Sequence, residues 1–349
     1  MAKLLFITQK MDKDDDLLGI YHRWAEELAK RMEKVSIICL RQGTVELPKN
    51  APVYSLGKES GRSRFKYLFR FYRYLWQLRK NYDSVLVHMN VEYVILGGLF
   101  WKILGKKIFL WYNHPLGGLR ARLAFKLSDK IFHTSPFAFA TRFKKSEIMP
   151  AGVDAQIFQR DDRIKKIKNS ALYLGRISPI KNLDFLIEAA EFLDKQGNDF
   201  RINIVGSPAR KDDFRYEEAI KLKASPLVAK GKIRFMPKVS NKEAPRIYNE
   251  NEIGVNLTPG GSFDKTILEA MACEMPVLVS NRSFENILPK ECRFEEGNSR
   301  DLAEKLSVLF KLPQETKLLY GQRFREYVLK NHDLPVLMNK LIPEITNYD

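Results

Sequence analysis

The alternation of short apolar runs with amphipathic stretches is the feature of this sequence that most restricts its fold. Strands buried in a parallel sheet form such continuous apolar runs, and amphipathic segments such as residues 21–32 have the period of a helix. The pattern predicts an α/β fold with helices on both faces of a parallel sheet. The predicted strands of the first half are residues 3–8, 35–40, 84–88 and 107–111.

The pattern then stops and starts again. A charged, loop-like stretch at residues 160–170 is followed by further predicted strands at residues 171–174, 200–205, 232–235, 253–257 and 277–280. A chain of 349 residues also exceeds what one hydrophobic core usually supports. We therefore expect two doubly wound domains, residues 1–165 and 166–325, followed by a C-terminal helix at 326–349 that packs back towards the first domain. Since such sheets bind ligands at the carboxyl ends of their strands, the expected site is a cleft between the two sheets.

Two cations follow the first strand of the second domain. Residues 171–193 have the pattern of a buried strand, a turn that carries Arg176 and Lys181, and a helix. Arginine binds phosphate oxygens bidentately and lysine adds a point charge, so this turn suits a diphosphate. A solvated turn with two ordinary surface cations is the alternative.

A glycine-rich loop opens the second informative segment, residues 258–280. Gly260 and Gly261 allow the backbone to approach a ligand closely, and the free N–H groups of the following helix attract phosphate. Glu269 lies in that helix, where its carboxylate has the chemistry to accept both hydroxyls of a nucleotide ribose. The alternative is a glutamate on the helix surface.

Together the two segments resemble the donor-binding signature of the retaining glycosyltransferases with the GT-B fold, of the group 1 or family 4 type. The match consists of a Gly-Arg turn with a lysine five residues after the arginine, and of Glu269 followed by Ala-Met-Ala and a Pro-Val strand. The resemblance implies two Rossmann-like domains that face a central cleft, with the acceptor in the first and the donor in the second. It also implies that Arg176 and Lys181 hold the donor diphosphate and that Glu269 holds the ribose.

Weaker features extend this resemblance along the chain. Gly19 falls where the family has a flexible loop on the acceptor side, and His114 falls where many members have a histidine near the anomeric carbon of the sugar. Ala151 to Asp154, with Phe158, resembles the segment at the domain junction. The donor-binding residues that the resemblance implies are Gly206, Ser207, Gly261, Phe263, Asp264, Lys265 and Thr266.

One family residue is missing from this sequence. The first glutamate of the family pair, eight residues before Glu269, is replaced by Gly261. That glutamate contacts hydroxyls of the donor sugar in the family, so its replacement bears on sugar recognition. Asp264 is the candidate substitute carboxylate, and an inactive homologue that binds only the nucleotide is the alternative.

Positive charge is concentrated in the first domain. Residues 1–165 contain 30 Lys and Arg against 16 Asp and Glu, a net charge of +14 out of +17 for the chain. Such an imbalance predicts an anionic partner: nucleic acid, an anionic membrane surface or a polyphosphate.

The cations of residues 58–81 point to the membrane. This segment contains eight Lys or Arg and one acidic residue, and its apolar residues recur at helical spacing, which predicts a basic amphipathic helix. We expect its apolar stripe, Phe65 to Trp76, to lie partly on the sheet, and the opposite side to contact an anionic membrane. A solvated helix face is the alternative. The predicted membrane-contact residues are Arg62, Lys66, Arg70 and Arg73.

Several absences in the sequence narrow the chemistry. No Cys or His cluster has zinc-ligand spacing, and the sequence lacks the zinc-finger, basic-zipper and RNA-binding motifs. The acidic run Asp12 to Asp16 reads as a solvated, mobile loop rather than as a carboxylate pair for a metal. We expect no metal, no cofactor other than the sugar-nucleotide substrate, and no nucleic acid partner.

Location inside the cell is also expected. The apolar run at the amino terminus is too short for a signal peptide and reads as a strand. Three widely spaced cysteines suit a reducing compartment. The sequence thus predicts a metal-independent hexosyltransferase, cytoplasmic and peripheral on the inner face of the membrane, that transfers sugar to a lipid-linked or glycan acceptor in envelope polysaccharide or glycolipid assembly. A soluble transferase that acts on a metabolite or storage glycan is the alternative.

Overall fold

The computed structural model describes residues 2–16, 18–61, 63–260 and 263–347. Arg62 and Gly261, two of the predicted site residues, lie outside the described residues. The chain divides into two compact units. The first is Met1–Asp154 with Asp333–Asp349, and the second is Ala155–His332.

The first unit is built on a seven-stranded sheet in which all described pairings are parallel. Its order is β3-β2-β1-β4-β5-β6-β7. The strands are β1 Lys3–Met11, β2 Lys34–Gln42, β3 Val53–Ser55, β4 Ser84–His88, β5 Lys107–Trp111, β6 Lys130–His133 and β7 Ser146–Ile148.

Helices cover both faces of this sheet, because successive side chains of a buried strand point to opposite sides. Leu4 and Phe6 of β1 belong to one core, together with residues of α1 and α11, whereas Leu5 and Ile7 belong to the other, together with residues of α2, α3 and α4. The helices are α1 Ile20–Arg31, α2 Arg64–Leu78, α3 Val91–Ile103, α4 Leu119–Leu127 and α11 Leu334–Thr346.

The second unit is a five-stranded parallel sheet of order β10-β9-β8-β11-β12. Its strands are β8 Ser170–Leu174, β9 Arg201–Val205, β10 Ile233–Met236, β11 Ile253–Asn256 and β12 Val277–Val279. Its helices are α5 Leu183–Lys195, α6 Lys211–Ala229, α7 Ala244–Glu250, α8 Lys265–Ala272, α9 Ser299–Lys311 and α10 Gln314–Asn331.

Strand order reverses beside the first strand of each sheet, which confirms the predicted doubly wound α/β fold. In the first unit β1 lies between β2 and β4, and in the second unit β8 lies between β9 and β11. The loops that leave the two strands at such a point turn to opposite faces of the sheet and leave a crevice between them. In the second unit these loops carry Arg176, Lys181 and Asp264.

Candidate active site

Lys181 is the cation at the reversal point of the second sheet. It lies in a short 3₁₀ turn between β8 and α5, and its Nζ donates to Asp264 Oδ2 at 2.6 Å and to Thr258 Oγ1 at 2.9 Å. Both acceptors belong to the segment after β11. Because an ammonium group has three donors, these two bonds leave one for a ligand.

The hydrogen-bonding capacity of Asp264 is filled within the protein. Its Oδ2 also accepts from Asn256 Nδ2 at 3.1 Å and Thr258 Oγ1 at 2.8 Å, and its Oδ1 accepts from the backbone N and Oγ1 of Thr266 at 3.3 and 3.1 Å. A carboxylate offers about four lone-pair sites. Asp264 therefore caps α8 and holds Lys181, and in this arrangement it has no acceptor site left for the hydroxyls of a sugar.

The charge of Asp264 is stabilised at the same time. Burial alone would raise the pKa of this carboxyl, but the Lys181 ammonium and the donors of Asn256 and Thr258 hold the pKa well below its usual range. The group is therefore ionised throughout the physiological range, and it anchors Lys181 as an ion pair.

Arg176 differs from Lys181 in having no ionic partner among the residues that the structure describes. Its side chain is half-buried, and within the described parts of the chain no carboxylate pairs with it and its Nε has no hydrogen-bond acceptor. The Tyr173 hydroxyl donates to the Arg176 carbonyl at 2.8 Å, which fixes the turn. A half-buried guanidinium with an unused donor is suited to bind an anion.

Glu269 is buried rather than exposed on the surface of α8, with 8% of its area accessible. Tyr248 of α7 donates its hydroxyl to Glu269 Oε2 at 3.1 Å. Burial raises the pKa of Glu269 to about 7, although the Tyr248 hydrogen bond and the charge of Lys265 oppose the shift. Burial likewise lowers the pKa of Lys265 to about 7.

Gly206 has a structural reason to be glycine. A Cβ at this position would lie 1.9 Å from the carbonyl oxygen of Gly175, so no other residue fits without displacing backbone. Ile177 N donates to the Ser207 carbonyl at 3.2 Å. Gly206 and Ser207 thus hold the loop after β9 against the loop that carries Arg176.

Phe263 is buried within the second unit. Its ring stacks on Phe284, with centroids 4.6 Å apart and planes at 19°, and lies 5.0 Å from the ring of His332. Its contacts fix the start of α8. Nearby, Thr266 uses its backbone N–H to bond Asp264, so this predicted phosphate donor is already engaged.

Two predicted residues belong to the first unit. His114 follows β5 and is exposed, with its ring 5.8 Å from that of Tyr112. Gly19 directly precedes α1 with φ −57°, which is an ordinary helical value. The backbone at Gly19 therefore does not require glycine.

The expected partial burial of the apolar stripe of α2 holds only for Leu75. The buried ridge of this helix consists of Phe71, Leu75 and Leu78, whereas the aromatic residues of the predicted stripe are exposed. Lys66 and Arg73 are exposed as expected. Arg70 is half-buried, and its Nη1 donates to the Leu56 carbonyl at 3.4 Å.

The acidic run after β1 also differs from its expectation. Lys10 forms ion pairs with Asp12, at 2.8 Å, and with Asp15. Asp12 Oδ1 accepts from the backbone N–H groups of Asp14 and Thr44. These carboxylates therefore organise the loop around Lys10 instead of being solvated.

Asn256, Thr258 and Tyr248 are site residues that sequence reasoning missed. Asn256 and Thr258 stand at and just after the end of β11, and polar residues in that position of a parallel strand were a usable signal. Tyr248 lies on α7, and only the packing of α7 against α8 brings it to Glu269.

Within the described ranges, no group of three or more His, Cys, Asp or Glu is placed to hold a metal ion. The same residues include no helix with the length and apolar character needed to cross a membrane.

The match to a family model lies within the second unit. The family model described as Glycosyl transferases group 1 matches residues 168–311. A probable sucrose-phosphate synthase of Thermosipho melanesiensis is 30% identical over 178 residues, which are 46% of this chain. The chain matches only 41% of the length of that relative.

Solved structures resemble the whole chain. HepE of Anabaena, in complex with UDP and glucose, matches 100% of this chain and 100% of its own with a TM-score of 0.79 at 13% identity. The sucrose-phosphate synthase of Thermosynechococcus elongatus matches 99% of each chain with a TM-score of 0.80 at 15% identity. At such identities these matches establish the fold.

The fold and the family match together define a class. The chain has the GT-B fold of glycosyltransferases, as the sequence predicted. Residues 168–311, which contain Arg176, Lys181, Asp264 and Glu269, match the family model of the group 1 glycosyltransferases.

Proposed function

We propose that this protein transfers a sugar, with retention of anomeric configuration, from a nucleoside diphosphate sugar to an acceptor hydroxyl. The observation that carries the proposal is the pair of cations after β8. Lys181 is anchored with one donor to spare, and Arg176 has no ionic partner among the described residues. Two such cations at the reversal point of a doubly wound sheet suit a diphosphate.

Charge neutralisation at the leaving group is the chemical task that these cations would perform. Cleavage of the bond between the sugar and the β-phosphate of the donor leaves a second negative charge on that phosphate, and preorganised cations that face this charge lower the barrier. Arg176 would bind phosphate oxygens through its guanidinium, while Lys181 would give its remaining N–H. Glu269 would accept the ribose hydroxyls.

Asp264 would act as a positioning residue. Its five internal hydrogen bonds leave it no capacity to bind the sugar, but they fix the Lys181 ammonium in place. Since Gly261 replaces the family glutamate, we propose that the nucleoside diphosphate supplies most of the donor affinity. The roles of His114 and Gly19 stay predictions from the resemblance.

We also propose a class of acceptor. We place the reaction in envelope polysaccharide or glycolipid assembly, with a lipid-linked or glycan acceptor at the membrane, because positive charge and exposed apolar residues coincide in the first unit. The protein would be cytoplasmic and peripheral on the inner face. A soluble transferase for a metabolite is the second candidate, which the sucrose-phosphate synthase relative favours.

Turnover of a sugar nucleotide tests the proposal. Purified protein is screened with a panel of sugar nucleotides and free nucleoside diphosphates, first for thermal stabilisation and then for release of nucleoside diphosphate with membrane extract or soluble sugars as acceptors. UDP-sugars come first, because HepE was solved with UDP. Stabilisation and release by one nucleotide class are expected. If no nucleotide stabilises the protein, the donor site is wrong; binding without release under any acceptor supports the inactive homologue.

A further inference from the structure

Four aromatic side chains form an exposed row on α2. Phe65, Phe69, Tyr72 and Trp76 recur at i, i+4, i+7 and i+11, which places them on one side of a helix. The first two are 84% and 71% exposed, and Trp76 is 60% exposed. The helix buries a different ridge against the sheet, so this row contributes nothing to the core.

The neighbouring helix α3 carries a second exposed row. Leu96, Leu99 and Ile103 recur at i, i+3 and i+7, and Ile103 is 76% exposed. The two helices are in contact, since the Tyr72 hydroxyl donates to the Leu96 carbonyl at 2.9 Å.

A third row continues onto α4. Leu116 precedes this helix, and Leu119 and Leu123 belong to it, with Leu119 86% exposed. α3 and α4 pack closely, because a Cβ on Gly98 would lie only 3.1 Å from the Leu127 side chain. We call the three rows on α2, α3 and α4 the apolar face.

Cations surround the apolar face. The three helices contain eight Lys and Arg and a single acidic residue, Glu92. Lys66 and Arg73 flank the aromatic row, while Arg120 and Arg122 flank the row on α4, and all four are exposed. The Arg79 guanidinium lies 4.1 Å from the centre of the Trp76 ring.

Exposed apolar side chains surrounded by cations favour an anionic membrane over a second copy of this chain as the partner of the apolar face. Exposed apolar patches of such extent are uncommon on monomers and mark interaction sites. A second copy of this chain would bring eight cations against eight across a two-fold interface, which like-charge repulsion opposes. An anionic bilayer takes the apolar side chains into its acyl region and the cations at its headgroups.

We propose that the apolar face inserts its side chains into an anionic leaflet, so that binding is apolar as well as electrostatic. The inference names the partner of the proposed envelope function, but vesicle binding does not require glycosyl transfer, and the two can fail separately. Salt screens attraction between exposed charges, whereas burial of apolar side chains is not screened. The inserted state therefore survives salt that removes a purely electrostatic contact.

Trp76 reports on insertion without a label. The other tryptophans, Trp24, Trp101 and Trp111, are at most 1% exposed. Vesicles of phosphatidylglycerol and phosphatidylcholine with brominated acyl chains should therefore shift Trp76 emission to the blue and quench it. The Trp76→Phe variant should lose the response, which assigns the signal.

Substitutions then separate the two contributions. In about 1 M salt, where the Debye length is about 3 Å, the Phe69→Ser/Leu99→Ser variant should bind vesicles about tenfold more weakly than wild type or worse. Lys66→Gln/Arg73→Gln should weaken binding mainly at low salt. The matched control is Phe214→Ser/Leu222→Ser on α6, which removes two exposed apolar side chains of the second unit.

Three results would overturn the inference. The first is that vesicles leave the Trp76 emission unchanged. The second is that high salt abolishes the vesicle binding of wild type. The third is that the α6 control and the Phe69→Ser/Leu99→Ser variant lose vesicle binding equally. Concentration-dependent dimerisation without lipid quenching would assign the face to a second copy instead. Circular dichroism of each variant establishes that a loss does not come from unfolding, and a variant that unfolds is replaced by Phe65→Ser or Ile103→Ser.

Discussion

The two units share one strand order but differ in the side chains that they present to a ligand. In the first unit the cation near the end of β1, Lys10, is held by Asp12 and Asp15, and exposed apolar side chains lie on α2, α3 and α4. In the second unit the turn after β8 places Arg176 and an anchored Lys181 at the reversal point. We therefore propose that the same sheet architecture carries an apolar surface in one unit and an anion site in the other.

Of the substitutions that test this comparison, loss of Arg176 or Lys181 should have the largest effect on activity. Arg176→Ala or Lys181→Ala removes a charge-assisted contact to the diphosphate, which is worth roughly 2 to 4 kcal/mol in the transition state. We expect turnover of the donor to fall about 100-fold or more. Steady-state kinetics measure it, with Arg234→Ala, an exposed cation of the same unit, as the matched control. Wild-type rates in both variants would place the diphosphate elsewhere.

A smaller effect is expected at Asp264, because it acts through Lys181. Asp264→Asn should lower kcat/KM about tenfold, or about 1.4 kcal/mol, since an amide group no longer fixes the ammonium. The double-mutant cycle with Lys181→Ala separates positioning from stability. If Asp264 positions Lys181, the substitution adds little once the lysine is gone. Additive losses, or a loss matched by the change in thermal stability, would show that Asp264 only caps α8.

The smallest effect is a pH dependence from Glu269. Its pKa is raised to about 7, so the carboxylate that would accept the ribose hydroxyls is lost as the pH falls through 7. The affinity for a UDP-sugar, whose diphosphate does not change its protonation in this range, should therefore decrease a few-fold as the pH falls from about 8 to about 6. Glu269→Gln should remove this trend and leave only the opposite one from Lys265, which loses its charge as the pH rises. Calorimetry at each pH measures both, and an unchanged profile in the variant would exclude the role.

Much of the fold was predictable from the sequence, because buried parallel strands are continuous apolar runs. The predicted strands at residues 84–88 and 107–111 coincide with β4 and β5. Three strands of the first sheet, β3, β6 and β7, were not predicted. β3 and β7 are three-residue strands at the sheet edges with no fully buried residue, and they give no apolar run to detect.

The helical periodicity of α2 did not predict which of its apolar side chains are buried, for a different physical reason. Both sides of this helix are apolar, one through Phe71, Leu75 and Leu78, and the other through the aromatic row. The sequence pattern alone does not distinguish a stripe that meets the sheet from one that meets solvent. At the candidate site Arg176 and Lys181 were found from their place after a strand, whereas Asp264 was found through the family resemblance. The hydrogen-bond acceptor sites of Asp264 are filled by side chains that only the fold brings together, so the sequence did not reveal this.

The central claim is that the nucleoside diphosphate binds the second unit at Arg176 and Lys181, apart from the apolar face of the first. A crossed titration tests it most directly: UDP, or whichever nucleoside diphosphate the panel identifies, is titrated calorimetrically into wild type, Arg176→Ala and Phe69→Ser/Leu99→Ser, and vesicle binding is measured on the same samples. Arg176→Ala should lose nucleotide affinity and keep vesicle binding, while Phe69→Ser/Leu99→Ser should do the reverse. Unchanged nucleotide affinity in Arg176→Ala, or loss of both activities in either variant, would contradict the account.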